Sequence, residues 1–178
     1  MNDNQLTALI RTQLLAGLSR LSLTSEVLGN QQPTTQGRTT VATLYFSAIN
    51  EQRYGWQYSR TEFLPLTETL EREEAQWVRT TYQVTALAPQ DPSDLTIPTP
   101  KDLLRSASLI INGQSFVQAM TAQGVGIERV TELRNPYFVN DQGQFEASPS
   151  FDFTVTRKEA IIQEQPAFES VECNFTRV

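Results

Sequence analysis

Between residues 39 and 87 the chain holds two long runs of strand-forming sequence, separated only by an acidic stretch. Residues 39–49 (TTVATLYFSAI) are rich in β-branched and aromatic side chains, with apolar residues on both alternating sets, as in a strand covered on both faces. In residues 52–63 a period of two places Tyr54, Trp56 and Tyr58 on one face. Residues 75–87 (AQWVRTTYQVTAL) set Val78, Tyr82, Val84 and Ala86 on one face and Arg79, Thr81, Gln83 and Thr85 on the other. The segment between, residues 64–74 (LPLTETLEREE), reads as the tip of a long hairpin. Paired runs joined in this way predict an antiparallel sheet, which needs a second layer to cover one face.

Helical periodicity supplies that layer. Over residues 4–21, Leu6, Ile10, Leu14 and Leu18 recur every four positions, and Asp3 or Asn4 offers a side-chain oxygen to cap the first turn. A proline-rich linker, residues 88–100, carries the chain into a helix over residues 101–111. Asn112-Gly113 breaks it, because both residue types tolerate positive φ. A second helical piece covers residues 114–123 and stops at Gly124. Residues 126–133 alternate like a strand, residues 137–139 and 144–147 suggest a short hairpin about a turn at 140–143, and residues 151–162 and 170–175 read as further strands. Residues 30–37 form a polar loop. The expected fold is α+β: a mostly antiparallel sheet with an N-terminal helix and a central helical pair packed on it. The 178 residues suit one domain, with residues 50–75 as a protruding hairpin and 88–100 as a linker.

Composition narrows the function. Histidine is absent and Cys173 is the one cysteine, so neither a Ser-His-Asp nor a Cys-His arrangement exists and zinc ligation is excluded. No phosphate-binding glycine motif occurs; Gly124-Val125-Gly126 follows a helix and reads as a helix stop. The formal charge of −6, with Lys101 and Lys158 the only lysines, argues against wrapping nucleic acid. No apolar run approaches the length of a membrane span, and the first residues lack the basic region of a signal peptide, so a mature chain made in a cytoplasm is expected. Apolar residues make up 39%, below the usual share, which predicts long loops, much surface, or a core completed by other subunits.

Few side chains remain for chemistry. Glu68, Glu71, Glu73 and Glu74 form the densest carboxylate run. The plain reading is a solvated hairpin tip; the sharper one is an acidic surface that repels a passing polyanion. Carboxylate catalysis or cation binding is the remaining option. Tyr54, Trp56 and Tyr58 could stack on bases, but an aromatic sheet face packed on a helix or a neighbouring subunit explains them without a basic surround. Cys173 reads as a small buried strand residue, and Asp94 and Asp102 as turn and capping residues; with Asp91 they flank the proline segment. No catalytic residue, metal ligand or cofactor site is expected.

The layout resembles the tail-terminator and neck-terminator proteins of tailed phages. The leucine-rich N-terminal helix leads into VATLYFSAI (41–49), then a long variable loop (50–74) and WVRTTYQVTAL (77–87). A helix pair around an NG turn, LLRSASLIINGQSFVQAMTAQGVGIERV (103–130), and a long late strand followed by a polar linker and a final strand complete the likeness. The resemblance implies a structural, non-enzymatic virion protein of the neck or tail. It implies a homo-oligomeric ring, usually a hexamer, assembled in the host cytoplasm, that caps the tail tube and lets DNA pass without specific binding. Its implied partners are the tail-tube protein, a head-completion or collar protein and, in contractile tails, the sheath; no membrane is involved. Under this reading the four glutamates are candidates for the lumen surface, and Tyr54, Trp56 and Tyr58 for a subunit interface. The alternatives are another virion component, such as an adaptor or tube subunit, a carboxylate-only enzyme, and a single-strand nucleic-acid binder.

Overall fold

A computed structural model describes residues 1–29, 41–89, 96–139, 145–147 and 149–166. The expected loop at 30–37, the turn at 140–143, the last strand with Cys173, and Asp91 and Asp94 lie outside the described residues.

Helix α1, Asp3–Arg20, starts one residue earlier than its apolar spacing suggests. The cap is Asn2, not Asp3 or Asn4. Its side chain accepts from the Gln5 backbone N–H while the Gln5 side chain accepts from the Asn2 N–H, a reciprocal arrangement that satisfies two otherwise orphaned donors. Leu6, Ile10, Leu14 and Leu18 are all buried, as their spacing predicts. Helix α2, Pro100–Asn112, opens on the same device: the Thr99 hydroxyl and the Asp102 carboxylate cap each other's backbone N–H groups, with Pro100 in the first turn. Asp102 is therefore a capping residue, as expected.

The break between α2 and α3, Gln114–Thr121, has a different cause from the one expected. Gly113 is extended, at φ −71° and ψ 142°, so positive φ is not what ends the helix. Space favours glycine here, since a Cβ would lie 3.0 Å from the Ile110 carbonyl oxygen and 3.2 Å from that of Leu109, a tight fit against backbone. Asn112 then acts as a clamp: its side-chain amide donates to the Val130 carbonyl at 3.0 Å and accepts from the Val130 N–H at 2.8 Å. Gly124, at φ +72°, turns the chain after α3.

Five strands form one sheet in the order β1-β2-β3-β7-β4, where β1 is Glu26–Gly29, β2 Thr43–Leu64, β3 Thr69–Leu87, β4 Val125–Ile127 and β7 Ser150–Pro166. Among the described residues β1·β2 is parallel and the other pairs of this sheet are antiparallel. Strands β5, Tyr137–Val139, and β6, Phe145–Ala147, make the expected short hairpin. The fold is thus α+β, with three helices covering one face of a mostly antiparallel sheet. That face contributes Leu44, Phe46, Tyr82, Val84, Ala86, Phe151, Phe153 and Val155, which meet the buried residues of all three helices in one apolar cluster.

Three boundaries differ from the sequence-based expectation. The two runs before residue 64 are one 22-residue strand, bulged between Ala48 and Asn50 and again between Tyr54 and Tyr58. The acidic segment is mostly strand: the turn is confined to residues 65–68, and Glu71, Glu73 and Glu74 lie within β3. The strand expected over 126–133 shrinks to three residues, and Arg134 makes an isolated bridge to Ser150.

Candidate functional site

Strands β2, β3 and β7 run well past the helices. Beyond about residues 50, 79 and 157 they continue as a three-stranded ribbon, here called the arm, ending at the turn 65–68. At about 3.3 Å per residue, the 22 residues of β2 span about 70 Å, far more than the helices can cover. The burial pattern changes accordingly. In β3, Val78, Thr80, Tyr82, Val84 and Ala86 are buried in strict alternation, whereas within the arm portion only Ala75 is.

Ion pairs take the place of a core, among them one between strands and two along a single strand each. Lys158 reaches Glu73 at 2.6 Å and sits 5.0 Å over the Tyr58 ring; Arg72 meets Glu74 at 2.7 Å and Arg60 meets Glu62 at 2.9 Å. Exposed pairs of this kind contribute up to about 1 kcal/mol each, and of these only the Lys158–Glu73 pair, which joins two strands, bears on register. One row runs against the pattern. Glu62, Glu71 and Glu164 stand directly opposite one another across β2, β3 and β7, an arrangement of like charges that destabilises a sheet.

The arm also displays large apolar side chains. The second bulge adds two residues to β2, with Gly55 at φ +75°, and pushes out Trp56, which is 96% exposed. Leu66 at the tip is 99% exposed, Ile161 and Ile162 are 63% and 60% exposed, and Tyr54, Tyr58, Phe63 and Trp77 are about half exposed. Apolar exposure on this scale, spread over both faces and the tip of the arm, suits a surface that meets partners.

The candidate residues are distributed as follows. The bulge keeps parity, so Tyr54, opposite Trp77, and Tyr58, opposite Ala75, share the helix-free face, while Trp56 stands on the crest between them. The four glutamates do not form one cluster. Glu71 and Glu73 face the helix-free side, Glu74 the opposite side, and Glu68 occupies the turn at φ +53°. Among the described residues no three acidic, histidine or cysteine side chains are placed to hold a metal ion. Sequence reading missed Trp77, Phe63, Leu66, Ile161, Ile162 and the row partners Glu62 and Glu164. The adjacent pair Ile161-Ile162 was the usable signal, since neighbouring apolar residues in a strand occupy both faces.

At the root of the arm lies a buried charge. The Arg157 side chain is 7% exposed, and it donates to Asp3 at 2.6 Å and to Glu159 at 3.0 Å. Burial alone would lower its pKa; the hydrogen bond and charge of Asp3, followed by those of Glu159, outweigh that and raise it above the ordinary arginine value. Asp3 thereby ties the start of α1 to β7 where the packed region gives way to the arm. Burial likewise pushes the neighbouring Tyr82 phenol up. An open depression near the root is lined by Glu128, Arg129, Glu132, Arg134 and Asp152; Arg134 pairs with Asp152 at 2.5 Å, and Glu128 with Arg79.

Comparison with known proteins agrees with this geometry. The family model described as E217 gateway protein gp29 matches residues 5–167. Among solved structures, the sheath/tube terminator of an extracellular contractile injection system, PVC, in its extended state, superposes with a TM-score of 0.56 at 10% identity. The match covers 100% of this chain and 63% of that one, and at this identity it speaks for the fold. No curated protein matches the chain.

Proposed function

The chain belongs to the E217 gateway protein gp29 family, a family of structural, non-enzymatic virion proteins of the tail end, and from that premise we propose that it forms a ring at the head–tail junction. Copies of the chain assemble side by side around the tail axis. The ring caps the tail tube, meets a head-completion or collar protein on its other side, and leaves a lumen through which DNA passes without specific binding. Similarity of fold to a sheath/tube terminator supports contact with a tube and, in a contractile tail, with a sheath. The resemblance read from the sequence suggests six copies.

One observation carries the reading: a ribbon of three long strands leaves the helices behind with large apolar side chains in water. A protein that works alone gains nothing from this, whereas a subunit gains an interface. Tyr54, Trp56 and Tyr58 belong to that interface. Glu71 and Glu73 face the lumen, where their charge disfavours a resting polyanion.

Negative-stain microscopy of the purified protein, and a reconstruction of particles that contain it, test the proposal. Closed rings of uniform copy number are expected. Long cylinders would instead identify a tube subunit. A monomer at high concentration, with no ring in particles, would refute the assembly. Trp56 fluorescence quenched by oligonucleotide at low salt would favour a nucleic-acid-binding role.

A further inference from the structure

The arm has two long edges that no described strand covers. Strand β1 pairs with β2 only over Thr43–Phe46, and β4 pairs with β7 only over 155–157. This leaves residues 50–64 of β2 and 158–166 of β7 with one row each of backbone donors and acceptors facing outward. Proteins normally blunt or pair edges of that length. The β2 edge is interrupted at the Gly55–Trp56 bulge, so its usable part is residues 58–64.

We propose, on the basis of the ring reading, that these two edges are mates: residues 58–62 of β2 in one copy pair in parallel with residues 162–166 of β7 in the next, joining the arms into one closed barrel. Direction allows it. Strand β3 is antiparallel to both β2 and β7, so the two edges of one arm run the same way. Rotation about a ring axis along the arms preserves that direction and brings the β7 edge of each copy against the β2 edge of its neighbour, a head-to-tail contact that closes.

Charge selects the register. With no stagger, Glu62 of one copy would stand against Glu164 of the next and lengthen the like-charge row to a fourth glutamate. A stagger of about two residues, of the kind barrel closure requires, sets Arg60 against Glu164 of the next copy and Tyr58 against Ile162. Glu164 then has a cation beside it, and the exposed Ile162 is covered by an aromatic ring. The helices lie on one face of the sheet and need room, so they take the outside of the barrel. The helix-free face, with Glu62, Glu71 and Glu164, turns inward. Three strands from each of six copies would give about eighteen, the number at which barrels leave an open channel.

Cysteine pairing tests this in a Cys173→Ser background. Within one chain Tyr58 and Ile162 lie two strands apart, about 10 Å or more, beyond the reach of a disulfide, so a bond between them forms only across copies. Tyr58→Cys with Ile162→Cys should yield, on mild oxidation of assembled rings, a ladder of covalent oligomers ending at the ring number, and neither single variant should. Independently, Glu164→Arg should raise the concentration for half-assembly by roughly tenfold or more, and adding Arg60→Glu should restore it. Rings that assemble but give no ladder and no charge-swap rescue would overturn the edge pairing and leave the ring reading intact. An absence of rings in every form would overturn both. In a separate Ile162→Cys variant that keeps Cys173, an intrachain disulfide between the two in assembled rings would show that the chain's own end covers the β7 edge, and would also overturn the pairing.

Discussion

The same three strands build two regions that obey different rules. Where β2, β3 and β7 lie under the helices, one face is apolar and alternation is strict, and Phe46, Tyr82, Phe151 and Phe153 pack ring against ring. In the arm, alternation ends, ion pairs and a cation–π contact replace packing, and Trp56 and Leu66 stand in water. The β3·β7 ladder runs unbroken through both, and the β2·β3 ladder is interrupted only at its two bulges. Hydrogen bonds carry a strand beyond its core, but net stability comes from apolar burial, so the arm is held mainly by its root and completed by whatever it meets.

The sharpest break in that comparison comes from paired truncations. Phe151→Ala in the packed region should cost about 3–5 kcal/mol of subunit stability, read as a lower urea midpoint. Trp56→Ala in the arm should change that midpoint by no more than about 0.5 kcal/mol while weakening assembly, read by sedimentation. Equal costs to the subunit would erase the distinction.

Two glycines probe it next. A Cβ at Gly17 would come within 2.4 Å of Ile110 Cγ2, where α1 and α2 touch. Overpacking costs about 1–3 kcal/mol against a gain in helix propensity of about 1, so Gly17→Ala should lower stability by up to about 2 kcal/mol. At Gly55 nothing lies within 4 Å, but φ is +75°. Gly55→Ala should therefore cost about 1–2 kcal/mol through backbone strain alone, and any larger loss would mean that the bulge is packed against something.

Smaller effects belong to the caps of the packed region. Asn2→Ala should remove about 1 kcal/mol, seen as a lower thermal midpoint. The hydrogen bond from the Thr99 hydroxyl, with that from the Thr99 N–H, holds the Asp102 carboxyl below its usual pKa. Its contribution is thus complete above the ordinary carboxylate pKa and disappears as pH falls through the lower folded value. Thr99→Ala should flatten that part of the stability–pH curve, by a small amount because Asp102 is half exposed.

The packed region was legible in the sequence for the reason it is stable. Leu6, Ile10, Leu14 and Leu18 announce α1 because each is buried, and the proline-rich entry with Asp102 as a capping residue announces α2 because the cap partners lie within four residues. Alternation in residues 78–86 announces β3 because one face meets helices. The arm was only partly legible. Glu71, Glu73 and Glu74 look like loop because a strand exposed on both faces carries no alternation, and Lys158, the partner of Glu73, is 85 residues away. Strand β1 was missed because its four residues bury only Val27, and the Arg157–Asp3 pair because its members are 154 residues apart.

Backbone hydrogen exchange, compared between the isolated subunit and the assembled particle, reports directly on whether the arm is completed by neighbours. Amides of residues 58–62 and 162–165 should exchange fast in the subunit wherever they face outward and become strongly protected on assembly, while those of β3, paired on both sides already, change little. Arm edges that exchange as fast in the particle as in the free chain would mean that no neighbour covers them.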